Sequence, residues 1–158
     1  MIDYVRCVQA LADAGVEFVI IGGFAGVLHG SAYITNDLEI CYSRRRENLR
    51  RLASALAPFH PRLRGMSPEL PFVWDATTLN NGTVFTLKTD VGIVDLRAEV
   101  SGVGGFDQAK ARSVIVSGFE RQVWILDLPA LIASKRAAGR PKDLMIIPEL
   151  ESLLESSE

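Results

Sequence analysis

The chain has 158 residues, of which 48% are hydrophobic and 23% are charged, and its formal net charge at pH 7 is −2. These values predict a single globular domain over residues 1–158 that is long enough to bury a core. The small negative charge excludes a general attraction to nucleic acid or to an anionic membrane, so any RNA contact has to be a local patch. No apolar run is long enough to span a membrane and no leader pattern opens the chain, so we expect a cytoplasmic protein.

The first predicted elements place a glycine pair directly after a buried strand. A helix over residues 3–14 contains Cys7, which we expect to be a reduced core residue, as is Cys41 later in the chain. A strand over residues 18–21 follows, and Gly22 and Gly23 then open a short helix. Glycines let the backbone approach a ligand closely, and the N–H groups at a helix start favour an anion such as a triphosphate. The glycine spacing does not fit a dinucleotide-binding fingerprint.

The second predicted strand begins with two carboxylates, Asp37 and Glu39. Side chains on a strand alternate between its faces, so these two share one face at a Cα spacing of roughly 6.5–7 Å. Their repulsion is on the order of 2.5 kcal/mol at an effective dielectric constant of about 20. A cation between them would explain why the chain tolerates this repulsion. The alternative is that Asp37 is only a turn residue at the start of the strand.

An arginine-rich helix is predicted next, over residues 43–59. Its arginines are Arg44, Arg45, Arg46, Arg50 and Arg51. They form either a solvated helix face or a patch for RNA phosphates, because arginine pairs well with phosphate. Residues 60–71 contain three prolines and are predicted to be a loop, which could close over a substrate.

The middle of the chain predicts a hairpin, with arms at residues 84–88 and 92–100 after a turn at residues 80–82. Asp95 lies in the second arm, where charged residues alternate with apolar ones. That alternation also fits a solvent-facing strand edge. A short helix at residues 106–111 and a strand pair at residues 114–116 and 122–126 complete this part.

The last third of the chain is predicted to be helical. Asp127 caps a helix over residues 128–138, whose apolar stripe includes Lys135. An ammonium group on a buried face indicates an anionic pocket, unless the lysine reaches solvent past the helix end. Gly139 ends this helix, and Asp143 falls in the first turn of the next, where it suits the helix dipole. A closing helix is predicted over residues 148–155.

Gly22-Gly23, a spacer of thirteen residues and Asp37-x-Glu39 together resemble the motif of the minimal nucleotidyltransferases, in the DNA polymerase β-like superfamily. The resemblance implies an α/β (α+β) fold, with a small mixed β-sheet flanked by helices. It also implies a third carboxylate on a later strand, in a Val-Asp-Leu context that Asp95 matches.

Residues 137–143 resemble a C-terminal motif of small bacterial nucleotidyltransferases, which include the AbiEii-type toxins of toxin–antitoxin systems. The likeness extends loosely over residues 8–150 and implies that Lys135, Arg140 and Asp143 line an active site. Relatives often have arginine at the position of Tyr33 and aspartate at that of Ile146, and this chain departs from them at both.

The resemblance implies two-metal phosphoryl transfer from an NTP. Asp37, Glu39 and Asp95 would hold Mg²⁺, and Asp95 could also act as general base. Gly22 and Gly23 would cradle the phosphates, and the nucleotide site would also include Thr35, Arg140 and Asp143. Lys135 and Arg140 would neutralise transition-state charge.

Three functions remain open at this point. The first is nucleotidyl transfer to RNA, in particular to tRNA by a toxin with a cognate antitoxin. The second is the same chemistry on a small molecule such as an antibiotic, and the third is an inactive binding module. The arginine-rich helix favours the first of these over the second.

Overall fold

The computed structural model describes residues 2–157. Within that range the helices are α1 (Tyr4–Asp13), α2 (Gly22–Leu28), α3 (Arg46–Leu56), α4 (Ala76–Asn80), α5 (Phe106–Ala111), α6 (Leu128–Ala138) and α7 (Pro141–Ser156), with a 3-10 turn at Ala57–Phe59. The strands are β1 (Phe18–Ile21), β2 (Asp37–Tyr42), β3 (Arg62–Leu63), β4 (Val84–Thr89), β5 (Gly92–Arg97), β6 (Glu99–Val100), β7 (Gly104–Gly105), β8 (Ser113–Val116) and β9 (Val123–Leu126).

A seven-stranded mixed sheet organises the molecule, in the order β3-β4-β5-β2-β1-β9-β8. β2 runs parallel to β5 and β1 runs parallel to β9, whereas the other neighbours in this sheet are antiparallel. The predicted small mixed sheet flanked by helices is confirmed.

The core lies around the two central strands. Every residue of β1 is buried, and Leu38 and Ile40 of β2 are fully enclosed, as is Leu11 of α1. Burying one such aliphatic side chain contributes roughly 1.5–3 kcal/mol. Cys7 and Cys41 are unpaired and buried, which raises the pKa of each thiol to about 12. Both are therefore reduced core residues, as predicted.

Most predicted elements are confirmed, including the caps. Asp3 accepts a hydrogen bond from the Arg6 amide at the start of α1, and Asp127 accepts one from the Ala130 amide at the start of α6. The hairpin of β4 and β5 pairs as predicted, from Val84 opposite Arg97 to Thr89 opposite Gly92.

The structure departs from the prediction in several places. The loop at residues 60–71 contains β3, which pairs with β4. The second hairpin arm ends at Arg97, and β6 pairs instead with β7 in a separate two-stranded sheet. Helix α4 occupies the segment before Asn81, and the arginine-rich helix begins only at Arg46.

The last two predicted helices form one, α7, with Pro148 inside it. A proline inside a helix removes a backbone hydrogen bond and costs about 3 kcal/mol. Burial of Ile146 and Ile147 before the proline and of Leu150 after it offsets that cost. Sequence patterning treated the proline as a boundary because it could not weigh this burial.

Among the helices of residues 2–157, none is long and apolar enough to cross a membrane.

Candidate active site

Parallel pairing of β2 with β5 brings two of the predicted carboxylates side by side. Glu39 lies directly opposite Asp95, and Asp37 lies opposite Ile93. Because side chains alternate along each strand, all three carboxylates project from the same face of the sheet. Asp95 lies on a strand between two neighbours, and its side chain is only 13% exposed. The interpretation of Asp95 as part of a solvent-facing edge is therefore wrong.

The glycine pair makes room for the residues of the second half of the motif. Gly22 has a left-handed backbone (φ 68°), and a Cβ there would collide with the Glu39 carboxylate. A Cβ on Gly23 would lie 3.1 Å from the Thr35 hydroxyl oxygen. Only glycine combines that φ at low cost with so close an approach. The spacing between the Gly-Gly pair and Asp-x-Glu thus has a direct packing cause.

Asp37 and Thr35 form a local pair beside this contact. The Thr35 hydroxyl donates to Asp37 Oδ1 at 3.1 Å, and the Tyr4 hydroxyl donates to the Thr35 carbonyl at 2.8 Å. Tyr4 in turn stacks on Phe24, with ring centroids 3.8 Å apart. Side chains of α1 and α2 therefore hold the loop before β2 in place, and the Thr35 hydroxyl fixes the Asp37 carboxylate.

A cationic side chain that sequence reasoning left without a role lies between the other two carboxylates. Arg97 Nε is 3.0 Å from Glu39 Oε1, and Arg97 Nη2 is 3.8 Å from Asp95 Oδ2. The Nε contact is a close ion pair, but its angle does not make an aligned hydrogen bond. Arg97 follows Asp95 by two residues and so shares its face of the strand. This two-residue spacing is the feature of the sequence that could have placed Arg97 in the site.

Burial raises the pKa of Glu39 above its ordinary value. The charge of Arg97 opposes that shift, and the charge of Asp95 adds to it. Desolvation penalises the ionised carboxylate, and a neighbouring carboxylate does the same. Glu39 therefore has a greater affinity for a proton than an exposed glutamate.

A second set of charged residues, on and next to α6 and α7, lines the other side of the site. Asp143 is 1% exposed and accepts two hydrogen bonds from the Arg140 side chain, at 2.6 and 3.1 Å. Lys135 Nζ lies 3.5 Å from Asp143 Oδ1, with 15% of its side chain exposed. Burial alone would raise the pKa of Asp143, but the Arg140 hydrogen bonds and the Lys135 charge outweigh it and lower that pKa. Lys135 thus faces an anionic partner, as its position on the apolar stripe suggested, and does not extend past the helix end.

These groups line a cleft of about 270 Å³ between the sheet and helices α6 and α7. Its charged lining residues are Glu39, Glu99, Asp143, Arg97, Lys135 and Arg140. Gly22 also lines it, whereas Gly23, Thr35, Asp37 and Asp95 do not. The Asp95 carboxylate instead accepts a hydrogen bond from the Thr86 hydroxyl at 2.7 Å. The structure therefore brings Glu39, Lys135, Arg140 and Asp143 to one cavity, with Asp95 beside Glu39 on the neighbouring strand.

The three predicted metal ligands match Mg²⁺ in chemistry, but their side chains do not converge on one point. Carboxylate oxygens are the donors that this hard ion prefers. Across residues 2–157, however, no three acidic, histidine or cysteine side chains converge on a single point. Asp37 stands apart, and the Arg97 guanidinium takes the place between Glu39 and Asp95.

The two departures from the family motif lie in different surroundings. Tyr33 is 47% exposed on the loop before β2, whereas Ile146 is 7% exposed and packs in the core. Ile146 therefore contributes to holding α7 in place rather than to the polar lining of the cleft.

Similarity to known proteins is found in the fold. No protein-family model and no curated protein sequence matches the chain. A crystal structure of a Thermotoga maritima protein, described as a candidate nucleotidyltransferase, matches it with a TM-score of 0.59 over 96% of each chain. The chain has the nucleotidyltransferase fold. The two sequences are 15% identical, so the likeness concerns the fold alone.

Proposed function

We propose that the protein transfers a nucleotidyl group from an NTP to a hydroxyl acceptor. The observation that carries this proposal is the cleft, in which the Glu39 carboxylate, with Asp95 beside it on the next strand, shares the lining with the cations Lys135 and Arg140. Carboxylates opposite cations suit a reaction in which a hydroxyl loses a proton while a polyphosphate carries the developing negative charge. The nucleotidyltransferase fold supports the same reaction class.

The reaction balances without any redox partner. The acceptor oxygen attacks the α-phosphorus, the bond from that phosphorus to the bridging oxygen breaks, and pyrophosphate leaves. The hydroxyl proton passes to the Glu39–Asp95 pair, in which Glu39 faces the cleft and has the raised pKa. Lys135 and Arg140 neutralise the departing pyrophosphate, and the absence of a side chain on Gly22 gives the Glu39 carboxylate the room that it occupies.

In this proposal Asp37, Glu39 and Asp95 would hold Mg²⁺ once their carboxylates converge. Such an ion would polarise the α-phosphate and would lower the pKa of the acceptor hydroxyl. Arg97 has to leave the carboxylates for such binding, because its guanidinium now neutralises them.

The acceptor that we favour is tRNA, which would make the protein the toxin of a toxin–antitoxin pair. Support comes from the arginine-rich start of α3, which supplies local positive charge on a chain whose net charge is −2. Arginine is well suited to phosphate because its planar guanidinium binds two oxygens at once.

A second candidate function is an inactive binding module of the same fold. The observation that favours it is Arg97, which occupies the carboxylates as a resident cation. A permanently bound arginine would leave a folded cleft with no metal site.

Incubation with each α-labelled NTP, Mg²⁺ and total tRNA tests the proposal. We expect label in RNA from the wild-type protein and none from the Asp37→Ala, Glu39→Ala double variant. The Glu155→Gln variant is the control, because Glu155 is an exposed carboxylate on the last turns of α7. Absence of label, together with absence of nucleotide binding by calorimetry, would support the binding module instead.

A further inference from the structure

A second depression, of about 450 Å³, lies between α3 and α4. We call it the arginine groove; it is lined by Arg44, Arg46, Leu49, Arg50, Ala76, Thr77 and Asn80. All three of its charged residues are arginines, so this small surface carries three positive charges. It is separate from the carboxylate cleft, and none of its residues takes part in the chemical step proposed above.

The five arginines of this region fall into two groups. Arg45 pairs with Glu17 at 3.1 Å and with Asp107 at 3.6 Å, and Arg51 pairs with Glu47 at 3.6 Å. Their charges are already compensated within the protein.

Two of the three arginines of the groove have no such partner in the described part of the chain, and the third, Arg50, shares Glu47 with Arg51. Within residues 2–157, neither Arg44 nor Arg46 has a carboxylate within 4.0 Å, and the contact of Arg50 is with Glu47 at 3.8 Å. Arg46 and Arg50 are also one helical turn apart, where like charges repel by about 0.2–0.5 kcal/mol. An anion bound in the groove would remove this repulsion.

The walls of the groove are ordered by contacts that leave its opening free. Arg44 Nη2 donates a hydrogen bond to the Asn80 carbonyl at 2.7 Å. This bond holds the segment before α3 against the end of α4. Leu49, at the floor of the groove, is 2% exposed and packs against the hydrophobic core. Helix α3 also begins at the groove without a side-chain cap, so its N-terminal dipole adds to the positive field.

Shallow depressions connect the groove to the carboxylate cleft. Two such depressions lie between them. The first shares Glu99 and Ser101 with the cleft, and it shares Thr83 and Glu99 with the second. Arg44 lines both the second depression and the arginine groove. Along the chain, Arg44 follows Glu39 by five residues, so their Cα atoms are at most about 18 Å apart. One strand of nucleic acid could therefore contact both places.

We propose that the arginine groove binds the phosphodiester backbone of the RNA acceptor and holds that strand while its end lies in the cleft. This inference rests on the proposed function and names how its macromolecular substrate is held. No aromatic side chain lines the groove, so bases have no stacking platform there and the contact is with phosphates. Phosphate contacts position a strand without reading its sequence.

Fluorescence anisotropy of labelled tRNA tests the groove without nucleotide or metal, in EDTA, at several salt concentrations. The test variant is Arg46→Ala, Arg50→Ala in the full chain. The matched control is Arg51→Ala, Arg121→Ala, which removes the same charge from exposed ion pairs outside the groove. Because each lost phosphate contact lowers the salt dependence, the slope of log K against log salt should fall in magnitude by about 1.5 in the test variant. The control should keep the wild-type slope.

Single-stranded DNA of equal length is a second probe, and an equal change of slope with it would confirm that the contact is with the backbone. A wild-type slope in the test variant would overturn the groove proposal, even if the wild-type protein labels tRNA. Conversely, a reduced slope in a protein that labels no RNA would support the groove and count against the transfer reaction. A melting temperature equal to that of the control shows that the test variant is folded.

Discussion

Arg97 Nε lies 3.0 Å from Glu39 Oε1, on the strand next to the one that carries Glu39. The same guanidinium approaches Asp95, so one internal cation serves both carboxylates. If Mg²⁺ binds as proposed, Arg97 and the ion would compete for the same oxygens, and the site would hold a metal only after the arginine had moved away.

Removal of this competitor should strengthen metal binding. We expect Arg97→Ala to bind Mn²⁺ or Mg²⁺ about tenfold more tightly than the wild-type protein, equivalent to about 1.4 kcal/mol. Isothermal titration without nucleotide measures this. Arg97→Lys retains the charge and should stay near the wild-type affinity. Equal affinities for all three proteins would show that Arg97 does not compete with the ion.

The close contact between Gly22 and Glu39 should make residue 22 intolerant of any side chain. Gly22→Ala adds a Cβ that collides with the Glu39 carboxylate, on a left-handed backbone that alone costs alanine about 1–2 kcal/mol. We expect a loss of at least 2 kcal/mol in the free energy of unfolding by urea. Gly26→Ala is the control, because its Cβ would meet atoms no closer than 3.7 Å. A helical alanine there should be neutral or stabilising.

The buried carboxylate of Asp143 should contribute to stability above its unfolded pKa. Its folded pKa is lowered from 3.8, so the folded state binds fewer protons than the unfolded chain as the pH falls through this region. The stabilisation is therefore present near neutral pH and is lost as the pH falls below about 4.

Replacement of Asp143 should remove both the hydrogen bonds of its carboxylate and the pH dependence that they cause. We expect Asp143→Asn to cost about 2 kcal/mol at pH 7, because it loses charged hydrogen bonds, and to show a weaker loss of stability in acid. Urea unfolding between pH 3 and 7 measures both. Asp107→Asn changes an exposed carboxylate and should cost less than about 0.5 kcal/mol. An unchanged acid profile in Asp143→Asn would contradict the pairing seen here.

Pro148 provides a test of the continuous helix α7. Its ring is exposed and removes one backbone hydrogen bond from the helix interior, so Pro148→Ala should raise the free energy of unfolding by about 1–3 kcal/mol. Thermal unfolding is the measurement. A neutral or destabilising result would indicate that the helix is broken at residue 148, as sequence patterning first suggested.

The sequence predicted the parts of the site that depend on local spacing. Alternation along β2 placed Asp37 and Glu39 on one face, and this alternation is a periodicity that a sequence carries directly. The link between Gly22 and these carboxylates came instead from the resemblance to a family motif, and the structure shows it as a close packing contact with Glu39.

The parts that it missed depend on contacts between distant segments. Arg97 reaches Glu39 only because β5 pairs with β2 in one register, and strand register is a property of the whole sheet. Lys135 was placed correctly on the apolar face of α6. Its partner Asp143 is on the next helix, so only the packing of α6 on α7 shows that the two charges compensate each other.

The most direct test of the central claim follows both parts of the NTP, the transferred nucleotidyl group and the released pyrophosphate. Parallel reactions with α-labelled and γ-labelled NTP, Mg²⁺ and tRNA would be compared for the wild-type, Glu39→Gln and Glu155→Gln proteins. We expect the α label in RNA and the γ label released in pyrophosphate in equal amounts, with both lost in Glu39→Gln and retained in Glu155→Gln. The γ label in the acceptor, or full activity in Glu39→Gln, would contradict nucleotidyl transfer at this cleft.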